Sequence, residues 1–316
     1  MTARIVFGIV GLALFFAAPY LLPEFRLFQI CLIAATALVV LGQIVVTGFA
    51  GQISLAQAAF AGLGGYGPAI LAATWGLPLW LGIPLTALIV GAGGFVLGQL
   101  TLRVSGHYLA LATLAFTAIV QLALIHSDAV TGGAAGMAVP SFSIFGITLS
   151  KGGELYYLVL PVTVVLFLLT GNVMRSRFGR GLAALRQSET AAEAMGLNVL
   201  RYKAAAFAAS GFLGAIGGAM LALLSTYLDP TQFGITQSIY YLAIAVVGGM
   251  LSPVTIVLSS AIFVFIPEWL QAFQSYLGLV FALLLLGFIV LRPDGLASLR
   301  LSGLRLNLLR SGRGTE

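Results

Sequence analysis

The sequence feature that most constrains this chain is a long stretch without any charge. No Asp, Glu, Lys, Arg or His occurs within residues 27–102. A bilayer core about 30 Å thick is crossed by about 20 helical residues, so this stretch can hold three spans with turns between them. Strands of a membrane barrel would alternate apolar and polar residues, and this stretch does not. The pattern therefore predicts helices that cross a membrane.

Composition extends this prediction to the whole chain. Of the 316 residues, 60% are hydrophobic and 8% are charged, whereas soluble domains carry about a quarter charged residues. A soluble globular fold, a disordered chain and a disulfide scaffold are excluded, the last because Cys31 is the single cysteine. We expect an all-α polytopic membrane protein with about ten (eight to ten) transmembrane helices. The expected spans are 5–22, 27–47, 54–73, 77–100, 107–126, 155–174, 204–228, 236–251, 254–273 and 275–291.

Three of these spans carry an alternative interpretation. Span 54–73 contains four glycines and Pro68, and span 236–251 is short and ends at Gly248-Gly249, so either is a candidate for a broken or re-entrant helix. Eight spans remain if neither crosses. Span 5–22 resembles a signal peptide, but its apolar run is longer than a typical signal core and lacks a clear cleavage site, which favours a retained helix.

The positive charges predict the orientation. With ten spans, one side receives thirteen of the fifteen Lys and Arg residues, and the other receives Arg26 and Lys151. The thirteen are Arg4, Arg103, Arg175, Arg177, Arg180, Arg186, Arg201, Lys203, Arg292, Arg300, Arg305, Arg310 and Arg313. Positive loops stay in the cytoplasm, so we expect both termini and the 175–203 loop there. The net charge of +6 then reflects topology and contact with the lipid bilayer, not binding of nucleic acid.

Catalytic and energy-coupling chemistry is not visible in the sequence. Ionisable residues are nearly absent from the middle of the expected spans, whereas proton-coupled carriers need such groups there. Phosphate-binding, zinc-protease, dithiol and nucleophile-elbow motifs are also absent. We therefore expect a transport subunit that is not an enzyme, with no catalytic residue, no metal site and no cofactor of its own.

The 175–203 loop has the pattern of a short pair of amphipathic helices. Ser188 can cap a helix that begins at Glu189, whose carboxylate suits the positive end of the helix. Gly196 is placed to end it. Such a helix could fill a groove in a partner protein, and an unpartnered basic loop is an equally good interpretation of the residues alone.

Several motifs in this chain resemble those of one transporter family. They are the 175–198 loop followed by Arg201-Tyr202-Lys203, the segment 51–60 with Gly65-Tyr66, the segment 106–116 with Thr131-Gly-Gly133, Pro267-Glu268, and Arg292-Pro-Asp-Gly-Leu296. Together they resemble the permease subunits of ATP-binding-cassette (ABC) importers for branched-chain amino acids, of the M type as opposed to the H type. The resemblance covers about residues 27–300.

The resemblance implies an assembly and a mechanism. A periplasmic binding protein would deliver the amino acid, this chain and an H-type permease would form a heterodimeric pathway in the bacterial cytoplasmic (inner) membrane, and two ATPase subunits would bind ATP and Mg. Residues 1–300 would form the permease domain, and 301–316 a basic, loosely ordered cytoplasmic tail. The helix that couples the permease to the ATPase would match Glu189, Ala192, Glu193, Gly196 and Asn198.

Uncharged polar residues inside the apolar windows are the candidates for the solute pathway. They are Gln52, Ser54, Gln57, Thr113, Thr117 and Gln121. For any one of them, hydrogen bonding between helices is the competing interpretation. Two other functions also stay open: a related permease for urea, amides or another small solute, and a facilitator that works without an ATPase.

Overall fold

The computed structural model of the chain describes residues 21–100, 107–144, 147–149, 152–250 and 253–269, with single positions 19, 283, 286 and 287. Helices dominate these ranges. They are α1 Glu24–Ile44, α2 Gln57–Trp75, α3 Leu79–Leu100, α4 His107–His126, α5 Asp128–Thr131, α6 Gly152–Arg175, α7 Arg177–Gln187, α8 Glu189–Ala194, α9 Val199–Ser225, α10 Ile235–Gly248 and α11 Pro253–Trp269. A π-helical turn, Val45–Phe49, extends α1, and 3₁₀ turns occupy Gly133–Ala135 and Pro230–Phe233.

Short strands add two small antiparallel pairs that the sequence did not predict. Strand β1, Met137–Ala138, pairs with β4, Tyr227–Leu228. Strand β2, Phe142–Ile144, pairs with β3, Ile147–Leu149. The β1–β4 pair joins the segment before α6 to the residues that follow α9, whereas β2 and β3 form a local hairpin.

Five helices in the described ranges are long and apolar enough to cross a membrane: α1 with its π turn, α3, α4, α6 and α9. They confirm helices at expected spans 27–47, 77–100, 107–126, 155–174 and 204–228. Span 54–73 is the less apolar helix α2, and spans 236–251 and 254–273 correspond to the shorter helices α10 and α11. Most of spans 5–22 and 275–291, and the whole 301–316 tail, lie outside the described residues, so the count of ten stays a prediction.

Contacts at the two ends of the bundle show that successive helices run in alternating directions. At the end that carries residues 176–198, called the loop end, Gly51 lies against Arg186 and Gly48 lies against the Met250 carbonyl. At the opposite end, called the hairpin end, β1 pairs with β4. Arg26 also forms an ion pair there with Glu268, at 3.8 Å. This alternation is what a polytopic membrane protein requires.

Helix α9 lies at the centre of the bundle, packed on α1, α2 and α3. Small residues make this packing close. A Cβ added to Gly94 would lie 2.6 Å from the Phe207 carbonyl oxygen, and one added to Gly211 would lie 2.9 Å from the Val90 carbonyl oxygen. Gly218 is still closer to the Ala61 carbonyl. These glycines therefore serve helix packing, as small residues commonly do between membrane helices.

The irregular backbone in this region precedes α2 and does not interrupt it at Pro68. Helix α2 continues through Pro68, and the chain is irregular at residues 50–56, just before α2 begins. Gly51 has φ +69, a left-handed conformation that turns the chain after the π turn. The glycines of α2 instead allow close approach, for example of Gly64 to Ala215. Glycine content alone did not distinguish a packing surface from a break.

Candidate coupling segment and solute pathway

Both short helices at the loop end begin with a serine cap. The Ser176 hydroxyl accepts a hydrogen bond from the Phe178 N–H at 3.2 Å and caps α7. The Ser188 hydroxyl accepts one from the Ala191 N–H at 3.2 Å and caps α8. The predicted cap at Ser188 is confirmed, and the two helices meet at a sharp corner of extended backbone there.

Gly196 ends α8 in the predicted way. Its φ is +83, and its N–H donates to the Glu193 carbonyl at 2.9 Å. The Leu197 N–H donates to the Ala192 carbonyl at 3.0 Å. These two bonds form a Schellman motif. The motif favours glycine at this position because the residue that ends the helix adopts a left-handed conformation. The Asn198 side chain then accepts from the Arg201 N–H at 3.0 Å and caps α9, so α8 is joined to the central helix by a short, fixed turn.

The Glu189 carboxylate joins α8 to two membrane elements. Its Oε1 lies 2.6 Å from Lys203 Nζ on α9, and Lys203 is only 6% exposed. The same oxygen accepts a hydrogen bond from Gln52 Nε2 at 3.1 Å. Gln52 belongs to the irregular segment between α1 and α2. The cytoplasmic helix is thus tied to α9 and to this segment by one carboxylate.

The predicted coupling residues divide between the two faces of α8. Ala192 is buried, and Glu189 is engaged with Lys203 and Gln52. Glu193 is exposed, and so is Met195, at 83% exposure. A partner at this site would therefore meet the face that carries Glu193 and Met195.

The irregular segment 50–56 is held by polar side chains from neighbouring helices. Thr113 and Thr117 of α4 bind both polar groups of Leu55: the Leu55 N–H donates to the Thr113 hydroxyl at 2.9 Å, and the Thr117 hydroxyl donates to the Leu55 carbonyl at 2.6 Å. Gln43 donates to the Ser54 carbonyl at 2.8 Å. Within a bilayer, non-helical backbone requires such partners, because lipid supplies none. The two threonines thus have a structural use, which is the competing interpretation in the sequence analysis.

Gln57 joins three helices from a fully buried position. Its side-chain NH₂ donates to the Val39 carbonyl of α1 at 2.7 Å, and its carbonyl oxygen accepts from the Ser210 hydroxyl of α9 at 2.8 Å. Because Gln57 is 1% exposed, these two bonds satisfy amide groups that water does not reach. The geometry thus gives Gln57 a structural role at the start of α2.

The remaining pathway candidates are dispersed. Ser54 is buried and accepts a hydrogen bond from the Ala56 N–H at 3.3 Å. Gln52 faces Glu189, as described above. Gln121 is half-buried on α4 and lies against Gly234, which precedes α10. The part of the six candidates in solute passage stays a prediction.

Sequence reasoning missed the residues that connect these elements. The charge pattern predicts Lys203 only as a loop charge, although its side chain is 8% exposed and pairs with Glu189. No sequence pattern indicates Ser238, whose hydroxyl accepts a hydrogen bond from the Ala58 N–H at 3.1 Å. The available signal was position: Lys203 stands at the start of an apolar span, where a cation needs either the membrane interface or a carboxylate partner.

This arrangement of helices and buried polar links defines a multi-pass helical membrane protein with an irregular segment inside the bundle. A family model described as the branched-chain amino acid transport system / permease component matches residues 26–290. The chain belongs to this family.

Named relatives agree with this assignment. The chain is 32% identical over 290 residues to the high-affinity branched-chain amino acid transport system permease protein LivM of Salmonella typhimurium, and 31% identical over 290 residues to the Escherichia coli protein of that name. Each match covers 84% of this chain and 68% of the relative. A probable LivM of Methanocaldococcus jannaschii is 25% identical over 158 residues, which are 48% of this chain and 46% of that protein. No solved structure gave a significant match to the chain.

Proposed function

We propose that this chain is the M-type permease subunit of an ATP-driven importer of branched-chain amino acids. It works in the bacterial cytoplasmic membrane, with both termini and the 175–203 loop in the cytoplasm. Family membership and the LivM relatives support the transport role. The two ATPase subunits, the H-type permease and the periplasmic binding protein are part of the proposal, as are the permease domain 1–300 and the basic tail 301–316.

The observation that carries the coupling mechanism is the contact of Glu189 with Lys203 and Gln52. A force on the exposed face of α8 would move a carboxylate that is bound 2.6 Å from Lys203, close to the start of α9. It would also move Gln52, and with it the irregular segment before α2. Since α9 packs on α1, α2 and α3, displacement of α8 would reach most of the bundle.

Chemistry and mechanics are divided between chains in this proposal. The partner ATPases bind ATP and Mg and hydrolyse the nucleotide, and this chain holds no cofactor. Its own part is to present Glu193 and Met195 to the partner and to transmit the movement. The amino acid then crosses when the membrane helices change the side to which the pathway opens.

The exposed carboxylate of Glu193 allows a direct test of docking. We expect Glu193→Lys to release the ATPase subunits when the tagged chain is purified from its native membrane in mild detergent. The matched control is Glu154→Lys, which makes the same change at an exposed position on α6 at the hairpin end. Mass spectrometry of the co-purified chains gives the result.

Three outcomes of this purification can be separated. Retention of ATPase subunits by the wild type and Glu154→Lys, with their loss from Glu193→Lys, supports docking on α8. Equal retention by all three chains would place the docking surface elsewhere. A wild-type chain that purifies alone, under conditions that preserve other complexes, would overturn the importer proposal.

A further inference from the structure

A cavity of about 660 Å³ lies between α1, the hairpin end of α9, and helices α10 and α11. We call it the α10 cavity. Its wall combines amide and hydroxyl groups with aromatic rings, among them Thr36, Gln232, Thr236, Gln237, Tyr240 and Phe263. Described residues with a charged side chain are absent from this wall. A site of this size, with a few polar groups on an apolar background, is typical of small-molecule binding.

Helix α10 begins inside the bundle, beside the start of α2. The Ser238 hydroxyl of α10 accepts a hydrogen bond from the Ala58 N–H of α2. The start of α2 is in turn bound through Gln57 to Ser210, near the middle of α9. Two helices therefore begin at similar depth, well away from either end of α9.

The first turn of α10 presents unused hydrogen-bond donors. Gly234 precedes the helix and provides no side-chain cap. Within the described part of the chain, the N–H groups of residues 235–237 have no hydrogen-bond acceptor, and Thr236 and Gln237 of this turn line the cavity. The start of a helix also carries partial positive charge, so the position favours a carboxylate.

Thr36 supplies an independent indication that a polar ligand binds here. It is 5% exposed and lines the α10 cavity from α1. Among the described residues, none forms a hydrogen bond with its hydroxyl. The hydroxyl is therefore available to hydrogen-bond with a polar molecule in the cavity.

We propose that the α10 cavity binds a small zwitterionic amino acid in transit, with its carboxylate at the first turn of α10 and its side chain against the apolar wall. The inference rests on the proposed importer function and assigns the transit site within this chain. Amide oxygens of Gln232 and Gln237 and the face of Tyr240 accept the ammonium group. The lack of charge on the described wall suits a solute whose own charges cancel.

The test compares two pairs of variants in the complete transporter, purified with its partners and reconstituted in liposomes. Thr36→Val removes the unpartnered hydroxyl at nearly constant shape. Its control is Thr163→Val, because Thr163 is also 5% exposed, has an unpartnered hydroxyl and lines an apolar cavity of about 290 Å³.

Thr236→Asp places a carboxylate in the first turn of α10, where it suits the helix but competes with a solute carboxylate. Thr236→Asn is the uncharged control.

The readouts are the initial rate of radiolabelled leucine uptake, at saturating loaded binding protein, and co-purification of the ATPase subunits. We expect uptake to fall about fivefold in Thr36→Val, through loss of one hydrogen bond, and about tenfold or more in Thr236→Asp, through like-charge repulsion. Both controls should transport within about twofold of the wild type. ATPase subunits should be retained by all variants.

Each departure from this pattern overturns a defined claim. Wild-type uptake by both Thr36→Val and Thr236→Asp would reject the site. Equal losses in Thr236→Asp and Thr236→Asn would reject carboxylate recognition, and equal losses in Thr36→Val and Thr163→Val would assign the effect to packing. A wild-type complex that lacks ATPase subunits would instead reject the proposed function, and the inference with it.

Discussion

At the scale of single residues, we expect the two partners of the Lys203–Glu189 ion pair to contribute unequally to stability. Lys203 has a side chain 8% exposed, whereas its partner Glu189 is 45% exposed. Removing Glu189 leaves a desolvated charge, but removing Lys203 leaves a carboxylate that water can reach. We therefore expect Glu189→Gln to lower the free energy of unfolding by about 2–3 kcal/mol and Lys203→Met by about 1 kcal/mol or less.

The double variant is the control for this prediction. With both charges removed, no unpaired charge remains, so Glu189→Gln with Lys203→Met should be more stable than Glu189→Gln alone. Thermal unfolding in detergent, followed by the loss of monodisperse protein, measures the order. Equal destabilisation by the two single variants would contradict the account of Lys203 as a desolvated cation.

At the scale of helices, two adjacent glycines on α3 have different surroundings, and only one of them lies against another helix. A Cβ at Gly94 would lie 2.6 Å from the Phe207 carbonyl oxygen, whereas one at Gly93 would meet no atom within 4 Å. We expect Gly94→Ala to destabilise the protein by about 1–3 kcal/mol, because α3 and α9 must separate. Gly93→Ala should be neutral or stabilising by up to about 1 kcal/mol, because alanine favours the helix.

Membrane abundance and the midpoint of thermal unfolding test this pair together. A lower midpoint for Gly94→Ala beside an unchanged or higher one for Gly93→Ala is the expected result. If the two variants behave alike, the close contact of α3 with α9 does not contribute to stability.

The same scale shows what sequence can and cannot predict. The apolar windows located α1, α3, α4, α6 and α9, because a membrane span is a local property of about 20 residues. The caps at Ser188 and Gly196 were also predictable, since their bonds join residues close in sequence. The ties from Glu189 to Lys203 and Gln52 were not, because contacts between distant segments leave no local pattern.

The pathway candidates illustrate the same limit. Sequence analysis identified Gln57, Thr113 and Thr117 as polar residues in apolar surroundings, which is correct, but could not say what they bind. The structure pairs Thr113 and Thr117 with the backbone of Leu55, and Gln57 with Val39 and Ser210. Only the fold shows that an irregular segment beside α4 needs those hydroxyls.

At the scale of the whole molecule, the alternating helices place Trp75 and Arg180 at opposite ends of the bundle, and the proposed orientation puts the loop end in the cytoplasm. In intact spheroplasts, a membrane-impermeant maleimide should label Trp75→Cys, at the hairpin end, but not Arg180→Cys, on α7 at the loop end. Inverted vesicles should give the reverse result. The native Cys31 is fully buried and should stay unlabelled in both. Labelling of both positions from one side would contradict the alternation.

The most direct test of the central claim is the energy dependence of leucine uptake by the purified complex in liposomes. The account predicts accumulation against a gradient that requires ATP and loaded binding protein, and that stops in Glu193→Lys while the Glu154→Lys complex still transports. Leucine that merely equilibrates across the membrane at the same rate with and without ATP would contradict it, and would make this chain a facilitator.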